Sequence, residues 1–511
     1  MDEIFTTEQS GRALPPQLQA IVSLASSGDV ARAMAEAGAI ADSDVAIEAW
    51  RFLSEVNANL QRWDEAVSAI ENALRHRPDS RALRLARALL LEQRGDDARA
   101  LAELESLARE APDSPRLLVH LAAQLTSAAR GDEAETVLTR ALARWPADAA
   151  LHTQLARLRW QQGAGLDAMR HIERAIEEQP GELHLRLVAA DLLRHANAGE
   201  RALRLLERGL ELAPDSPVFR TSIGALLEGM DRLDEALQFL RDAHARAPRS
   251  VAVRRNLALA LLRTGAAAEA RALLEGLLAQ FPDDQLLIAQ RATALRLLGD
   301  PEYRRLYDYP RVVRTFALRP PVRFADIVAF NAAFARELTA LHRAAQHPLE
   351  QSLRGGSQTE RHLPRDVPLF ADFFAMLDAP IREYLAALHA GDTSHPLDRR
   401  RREDYRISGS WSVQLRAGGY HIDHVHPRGW LSSAYYVSLP DVADADSRAG
   451  WLKFGEPGIR VPGCGPEHFV QPAAGMLVLF PSYLWHGTHA LRGDEPRMSV
   501  PFDAVPQAEL G

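Results

Sequence analysis

Two short stretches near the end of this 511-residue chain carry side chains whose types and spacing suit a metal ion. The first, GYHIDHVHPRGWLSSAYYV at 419–437, holds His421, Asp423, His424 and His426; the second, GMLVLFPSYLWHG at 475–487, holds His486. Imidazole nitrogens and carboxylate oxygens are common ligands of first-row metals, and three on one side of an ion leave the other side open to reactants. On a β-strand, residues i and i+2 share a face, so two ligands spaced this way can converge on one ion. That rule gives two candidate pairs, His421 with Asp423 and His424 with His426. Their parity is opposite, so a straight strand cannot aim both at the same point. His486, from a distant strand, supplies the third ligand in either case. Arg497 follows eleven residues after His486. Its planar, permanently charged guanidinium suits a carboxylate, and Ser499, two residues along the same strand, adds a hydroxyl. A solitary H-x-H on a strand is more commonly a hydrogen-bonded polar pair; its combination with His486 and Arg497 points to metal chemistry.

Strands must bring these residues together, and the sequence supplies them. From about Tyr405 the chain breaks into short β-type runs separated by Gly and Pro: ISGSWSVQL, WLSSAYYVSL, WLKF, GMLVLF and RMSVPF. Such runs with tight turns predict a sandwich or barrel. Gly418 and Gly419 read as turn glycines, and Tyr435 and Tyr436 as sheet packing. Ahead of the strands, Ile327, Phe330, Phe334, Leu338 and Leu341 form a helical stripe within 325–345, and 367–389 reads likewise. The four arginines at 399–402 read as a solvated face, with substrate steering as the alternative.

A different period rules the first three hundred residues. Proline recurs every 34 residues at Pro78, Pro112, Pro146, Pro180, Pro214, Pro248 and Pro282. In register with it stand Ala66, Ala100, Ala134, Ala168, Ala202, Ala236 and Ala270, and a second small column, Ser54, Ala88, Ala122, Ala156, Ala190, Gly224 and Ala258. Antiparallel helices approach closely only where side chains are small, and proline ends the second helix of each pair. The pattern resembles the tetratricopeptide repeat family, over seven clear units and a weaker eighth running to about Tyr309. The resemblance implies an all-α superhelical solenoid whose groove, lined by first helices, takes a protein or peptide. Glu55, Val119, Arg157, Asp191 and Arg255 are expected to face it; they mix charge signs and apolar character, so no ligand signature emerges. The seven clear repeats hold no tyrosine, which disfavours a proline-rich ligand. A spacer or dimerisation surface is the alternative.

The C-terminal motifs resemble the double-stranded β-helix (jelly-roll) oxygenases that use Fe(II), 2-oxoglutarate and O2, and more closely a bacterial group in which H-x-H-P precedes a serine- and tyrosine-rich strand. The resemblance implies His424, His426 and His486 as iron ligands, with His421 and Asp423 as the alternative pair. It makes Arg497 and Ser499 the anchors of the far carboxylate of 2-oxoglutarate, and one of the two tyrosines, Tyr435, a further cosubstrate contact. An all-histidine set is one negative charge short of the usual triad with a carboxylate. HPLEQSLRGGSQT, at 347–359, resembles a segment of the same group; Arg354, Gly355, Gly356 and Gln358 are expected in a lid, a substrate loop or a plain turn. A cupin-type site without oxygenase activity is the rival reading.

Composition limits the remaining choices. With 47% apolar and 25% charged residues the chain reads as globular, and a net charge of -8 spread along it gives no reason to expect nucleic acid or a membrane as partner. Cys464 is the only cysteine, which fits a reducing compartment, and an acidic N-terminus without a long apolar run predicts a cytoplasmic protein. Lys453 is the only lysine amid abundant Arg and Ala, a bias expected of a GC-rich bacterial genome. The expected organisation is a multi-domain α + β chain: a helical cap at 1–44, the repeat solenoid at 45–309 and the oxygenase-like domain, with flanking helices, at 310–511. The expected function is a dioxygenase that hydroxylates a protein or peptide recruited by the repeats. A small-molecule substrate stays open, and the alternative is a non-catalytic scaffold with a degenerate β-domain.

Overall fold

The computed structural model describes residues 15–26, 29–59, 62–342, 352–359, 363, 367–388, 392–402, 404–440, 447–493 and 495–507. They fall into two compact units divided between Gln154 and Leu155. In the first, helices Pro16–Ser26 and Val30–Gly38 precede the paired helices Ser43–Asn59 and Trp63–His76, Arg81–Arg94 and Asp97–Glu110, and Pro115–Ser127 and Gly131–Arg144. Pairing continues in the second unit with Leu183–His195 and Gly199–Leu212, Pro217–Gly229 and Leu233–Arg246, and Val251–Arg263 and Ala267–Leu278. Among the described residues no helix is long and apolar enough to cross a membrane.

The two small-residue columns lie where the pairs touch. All seven alanines of the first column are fully buried, and the residues of the second are buried too. Ser54 uses its place to donate to the carbonyl of Ala66 at 2.9 Å. At Gly224 an added Cβ would meet Leu240 Cγ at 2.5 Å and the Ala236 carbonyl at 3.2 Å, so nothing larger than glycine fits without movement. Each pair ends before its proline, and Ser80, Ser114, Ser216, Ser250 and Asp284 start the next helix by accepting an N–H of its first turn. Ala236→Leu is expected to overpack this junction and cost about 1–3 kcal/mol. Thermal unfolding at wild-type temperature would reject the junction's assignment.

The last repeat is incomplete. Helix Gln285–Leu297 is followed by two short helices, Glu302–Leu306 and Tyr309–Val312, and then by the first strand. Ile288, Ala289, Ala292 and Leu295 of that helix share one apolar core with Tyr303, Tyr307, Phe334, Tyr483 and Trp485. Helices therefore give way to strands near residue 313 without a break in the packing.

Eleven strands follow among the described residues: β1 (Arg314–Ala317), β2 (Leu353–Gln358), β3 (Tyr405–Ser410), β4 (Val413–His421), β5 (Leu431–Ser438), β6 (Leu452–Phe454), β7 (His468–Val470), β8 (Met476–Pro481), β9 (His486–Thr488), β10 (Arg497–Val500) and β11 (Phe502–Pro506). All pairings are antiparallel. One sheet runs β1-β8-β5-β10-β4-β2, with β11 bridging β5 and β3; the other runs β7-β6-β9. Phe454 of the small sheet meets Phe480 of the large one edge to face, 5.0 Å between ring centroids. Helices Ile327–Leu341 and Pro368–Ala386 complete the domain; Phe334 and Phe373 stack at 5.0 Å, and Phe373 lies 5.2 Å from Tyr435 of β5.

Several sequence expectations are corrected here. ISGSWSVQL and RMSVPF are each two strands, broken at Trp411 and Pro501. Pro501 has no N–H to give a ladder, and its carbonyl instead accepts from Trp411 N at 3.2 Å. Of the 347–359 segment, 347–351 lies outside the described residues; the rest is no lid but strand β2, paired with β4. Gly355 has φ +68°, and a Cβ there would lie 2.9 Å from Gly419 Cα, so Gly355, Gly356 and Gly419 let the paired strands approach closely at a bulge. The arginine run is tied down as well: Arg399 donates to Asp283 at 2.8 Å, Arg400 to the Gly429 carbonyl at 2.7 Å and Arg401 to the Leu385 carbonyl at 3.0 Å.

Candidate metal centre

β4 ends at His421, which pairs with Leu353 inside the large sheet. The chain then bends at Asp423 and runs beside β9. His424 and His486 become directly opposite partners, exchanging N–H to O bonds of 2.9 and 3.1 Å. His426, two residues on, shares the face of His424, and its N–H is held by the Ser482 carbonyl at 3.1 Å. One ring nitrogen from each of His424, His426 and His486 lies within 4.8 Å of the other two. The Nε2 atoms of His424 and His426 are 3.2 Å apart.

Each ring is turned by an acceptor on its other nitrogen. Nδ1 of His424 lies 2.8 Å from the Ile422 carbonyl and Nδ1 of His486 lies 2.9 Å from the Leu484 carbonyl. Nδ1 of His426 lies 2.6 and 2.7 Å from the two carboxylate oxygens of Asp503. Such acceptors place the proton on Nδ1 and leave the Nε2 lone pair aimed at the common point. Burial, with the neighbouring His426, lowers His424 to about 4, and burial with the two neighbouring imidazoles holds His486 well below the usual range. Neutral rings are what a metal needs. His486 is buried while the other two are half-exposed, so the cluster is open on one side.

The alternative pair stands apart from this convergence. His421 is turned to Ser352, with Nδ1 3.1 Å from the serine oxygen, and its ring lies 6.0 Å from that of His424. Asp423 receives Lys453 Nζ at 2.7 Å, and Lys453 also pairs with Glu456. Burial raises the Asp423 carboxyl to about 6, and its Oδ1 has no hydrogen-bond partner among the described residues. A Cβ at Gly487, next to His486, would lie 2.7 Å from Asp423 Oδ1 and 3.0 Å from the His421 carbonyl, so a side chain there would have to displace the Asp423 carboxylate.

Arg497 and Ser499 share a face of β10, opposite Leu415 and Val413 of β4. Both are buried. Arg497 donates through Nη1 to the Gly450 carbonyl at 2.8 Å, while its Nε is left without a partner, and no carboxylate pairs with it among the described residues. A buried guanidinium without a counter-ion is costly, so this one fits an anionic ligand. The expectation for Tyr435 is corrected: its hydroxyl donates to Asn331 Oδ1 at 2.7 Å under helix Ile327–Leu341, on the far side of the sheet. Alternation along β5 gives the near side to Tyr436, whose ring lies 5.7 Å from the Arg497 guanidinium.

Asp503 was not among the residues singled out from sequence. It is anchored by Ser432 Oγ at 2.8 Å, its register partner on β5, and no motif marks it; only the β11–β5 pairing brings it to His426. Of the residues expected along the repeats, none is buried, and Arg255 is already engaged by Asp284.

The helical part matches tetratricopeptide repeat profiles at 58–115 and 127–182, and at 159–226 and 227–292. The chain is thus a tetratricopeptide repeat protein with a C-terminal antiparallel β-domain. That domain matches, at 409–503, the model of the family described as "Putative 2OG-Fe(II) oxygenase", a stretch that spans every histidine, aspartate and arginine of the centre. No curated protein matches the chain. Among solved structures it is similar to a tetratricopeptide repeat protein from Parabacteroides merdae (16% identity, 48% of this chain and 97% of that one, TM-score 0.31). It is also similar to the Pseudomonas aeruginosa pilF protein (17% identity, 42% and 97%, TM-score 0.28). A third likeness is to the APC/C hetero-tetramer Cut9-Hcn1 (16% identity, 50% and 50%, TM-score 0.26).

Proposed function

We propose that the C-terminal domain is an Fe(II)- and 2-oxoglutarate-dependent dioxygenase that hydroxylates a protein or peptide held by the repeats. The observation that carries this reading is the convergence of three imidazoles, each with its Nδ1 committed to an oxygen acceptor and its Nε2 left free to bind an ion. His424, His426 and His486 would hold Fe(II). Arg497 would take the far carboxylate of 2-oxoglutarate in two parallel charge-assisted bonds, and Ser499 would add a hydroxyl. When bound, the ion and cosubstrate supply the oxidising power to place one oxygen atom of O2 on a substrate carbon, the other leaving in succinate as CO2 is lost.

The chain's own part is placement. Asp503 turns His426, and the Ile422 and Leu484 carbonyls turn His424 and His486, so the donors are set before an ion arrives. Phe480 packs edge to face on His486 at 4.7 Å and keeps water from its buried side. Tyr436 lies beside the Arg497 guanidinium and walls its site. Recruitment of a polypeptide is proposed from the repeats, since such arrays commonly bind protein segments.

Anaerobic addition of Fe(II) and then 2-oxoglutarate tests the reading. The expected result is a visible charge-transfer band that saturates at one equivalent of each. A folded protein that binds Fe(II) but develops no band with 2-oxoglutarate has a cupin-like centre instead. One that binds neither is a scaffold.

A further inference from the structure

The ligand-bearing segments are each tied to the repeats at the residue next to a ligand. Pro427, directly after His426, accepts the N–H of Gln285 at 3.1 Å. Gln285 is the first residue of helix Gln285–Leu297, so this bond satisfies an N–H that the helix itself leaves unpaired. Trp485, directly before His486, donates its indole N–H to Thr293 Oγ1 at 3.1 Å, on the same helix. The Thr293 hydroxyl in turn donates to the Ala289 carbonyl at 3.0 Å. A third tie comes through Gly455, which follows Phe454, the register partner of His486. Its N–H donates to the Trp485 carbonyl at 2.9 Å, and its carbonyl accepts from Arg296 of that helix at 2.8 Å. Gln285, Thr293 and Trp485 are all buried.

One helix therefore touches both halves of the centre, although the two segments lie some sixty positions apart in the chain. Eight residues of helix separate the two contact points, a rigid span of about 12 Å. A shift of His486 relative to His426 must stretch one tie or the other, and breaking either strands a buried polar group. We propose that helix Gln285–Leu297 is a wall of the metal centre: Thr293, through Trp485, is a positioning residue for His486, and the Gln285 N–H, through Pro427, is one for His426. This rests on reading the three histidines as ligands.

The test uses the full chain and Fe(II) alone, with anaerobic calorimetry as readout and thermal unfolding of the metal-free protein as control. Thr293→Val keeps the shape and removes the acceptor; Gln285→Pro suits a first helical position and removes the backbone donor together with the side-chain bond to the Asp283 carbonyl, a bond that the control Gln285→Ala removes by itself. Tyr384→Phe deletes a buried bond of similar kind, from Tyr384 to the Val312 carbonyl at 2.7 Å, away from the ligands. Thr293→Val and Gln285→Pro are each expected to weaken Fe(II) binding by on the order of tenfold, the range seen when an outer partner of a metal ligand is lost. Thr293→Ser restores the affinity, and Tyr384→Phe leaves it unchanged at a comparable loss of melting temperature. If Thr293→Val and Gln285→Pro bind Fe(II) as tightly as Tyr384→Phe does, the positioning role is wrong while the ligand reading stands. If the wild-type chain binds no Fe(II), the ligand reading fails and takes this proposal with it.

Discussion

His486→Ala is expected to abolish saturable Fe(II) binding while the protein stays folded. Among the described residues His486 is the member of the cluster that comes from the small sheet, and with it gone two half-exposed imidazoles face an ion from one side. Losing an outer partner of a ligand already costs about 10- to 100-fold in affinity, so losing a ligand itself costs more. His424→Ala and Asp423→Asn then separate the two ligand sets. The geometry favours loss of Fe(II) in His424→Ala and retention in Asp423→Asn, because the Asp423 carboxylate is held by Lys453 and not by the imidazole cluster. Retention in His424→Ala with loss in Asp423→Asn would overturn the all-histidine set.

Arg497→Ala is the second large effect. Removing one partner of a desolvated charge pair commonly costs about 2–5 kcal/mol, and each 1.4 kcal/mol is tenfold. The 2-oxoglutarate concentration needed for half-maximal binding should rise between about thirtyfold and several thousandfold, with Fe(II) affinity nearly intact. Arg497→Lys should recover part of the loss, since an ammonium keeps the charge but cannot make the two parallel bonds of a guanidinium. The unpaired, buried Nε of Arg497 is the structural reason to expect so large an effect. Calorimetry that finds 2-oxoglutarate bound equally well by Arg497→Ala and wild type would remove the cosubstrate assignment.

The repeats were legible in the sequence because each 34-residue unit solves a local problem. A small residue at Ala236 or Gly224 is demanded by the helix packed twelve residues away, and the next unit repeats the demand. The β-domain is less local. Its strands were found where alternation is strong, as in WLSSAYYVSL, and missed where they are short and set by partners. β7 and β9 have three residues each, and β2 contains two glycines, so neither alternation nor propensity marks them. Tyr435 and Tyr436 could not be told apart because strand parity fixes only that they point to opposite faces; which face holds the centre depends on the helices packed behind β5.

By itself the sequence determined the repeat period, the oxygenase-like motifs and the small set of side chains that suit a metal ion. It did so because helix pairing and strand periodicity act over a few residues, and because imidazole and guanidinium are too specialised to be common in one place by accident. Only the tertiary structure shows which of them converge. The bend at Asp423 frees the H-x-H pair from the parity of β4 and sets His424 opposite His486. The β11–β5 register brings Asp503 to His426, and the packing of helix Gln285–Leu297 joins the last repeat to both ligand segments. These are contacts between groups some sixty to nearly two hundred residues apart in the chain, and no local preference encodes them; they exist only once one core has formed around all of these elements.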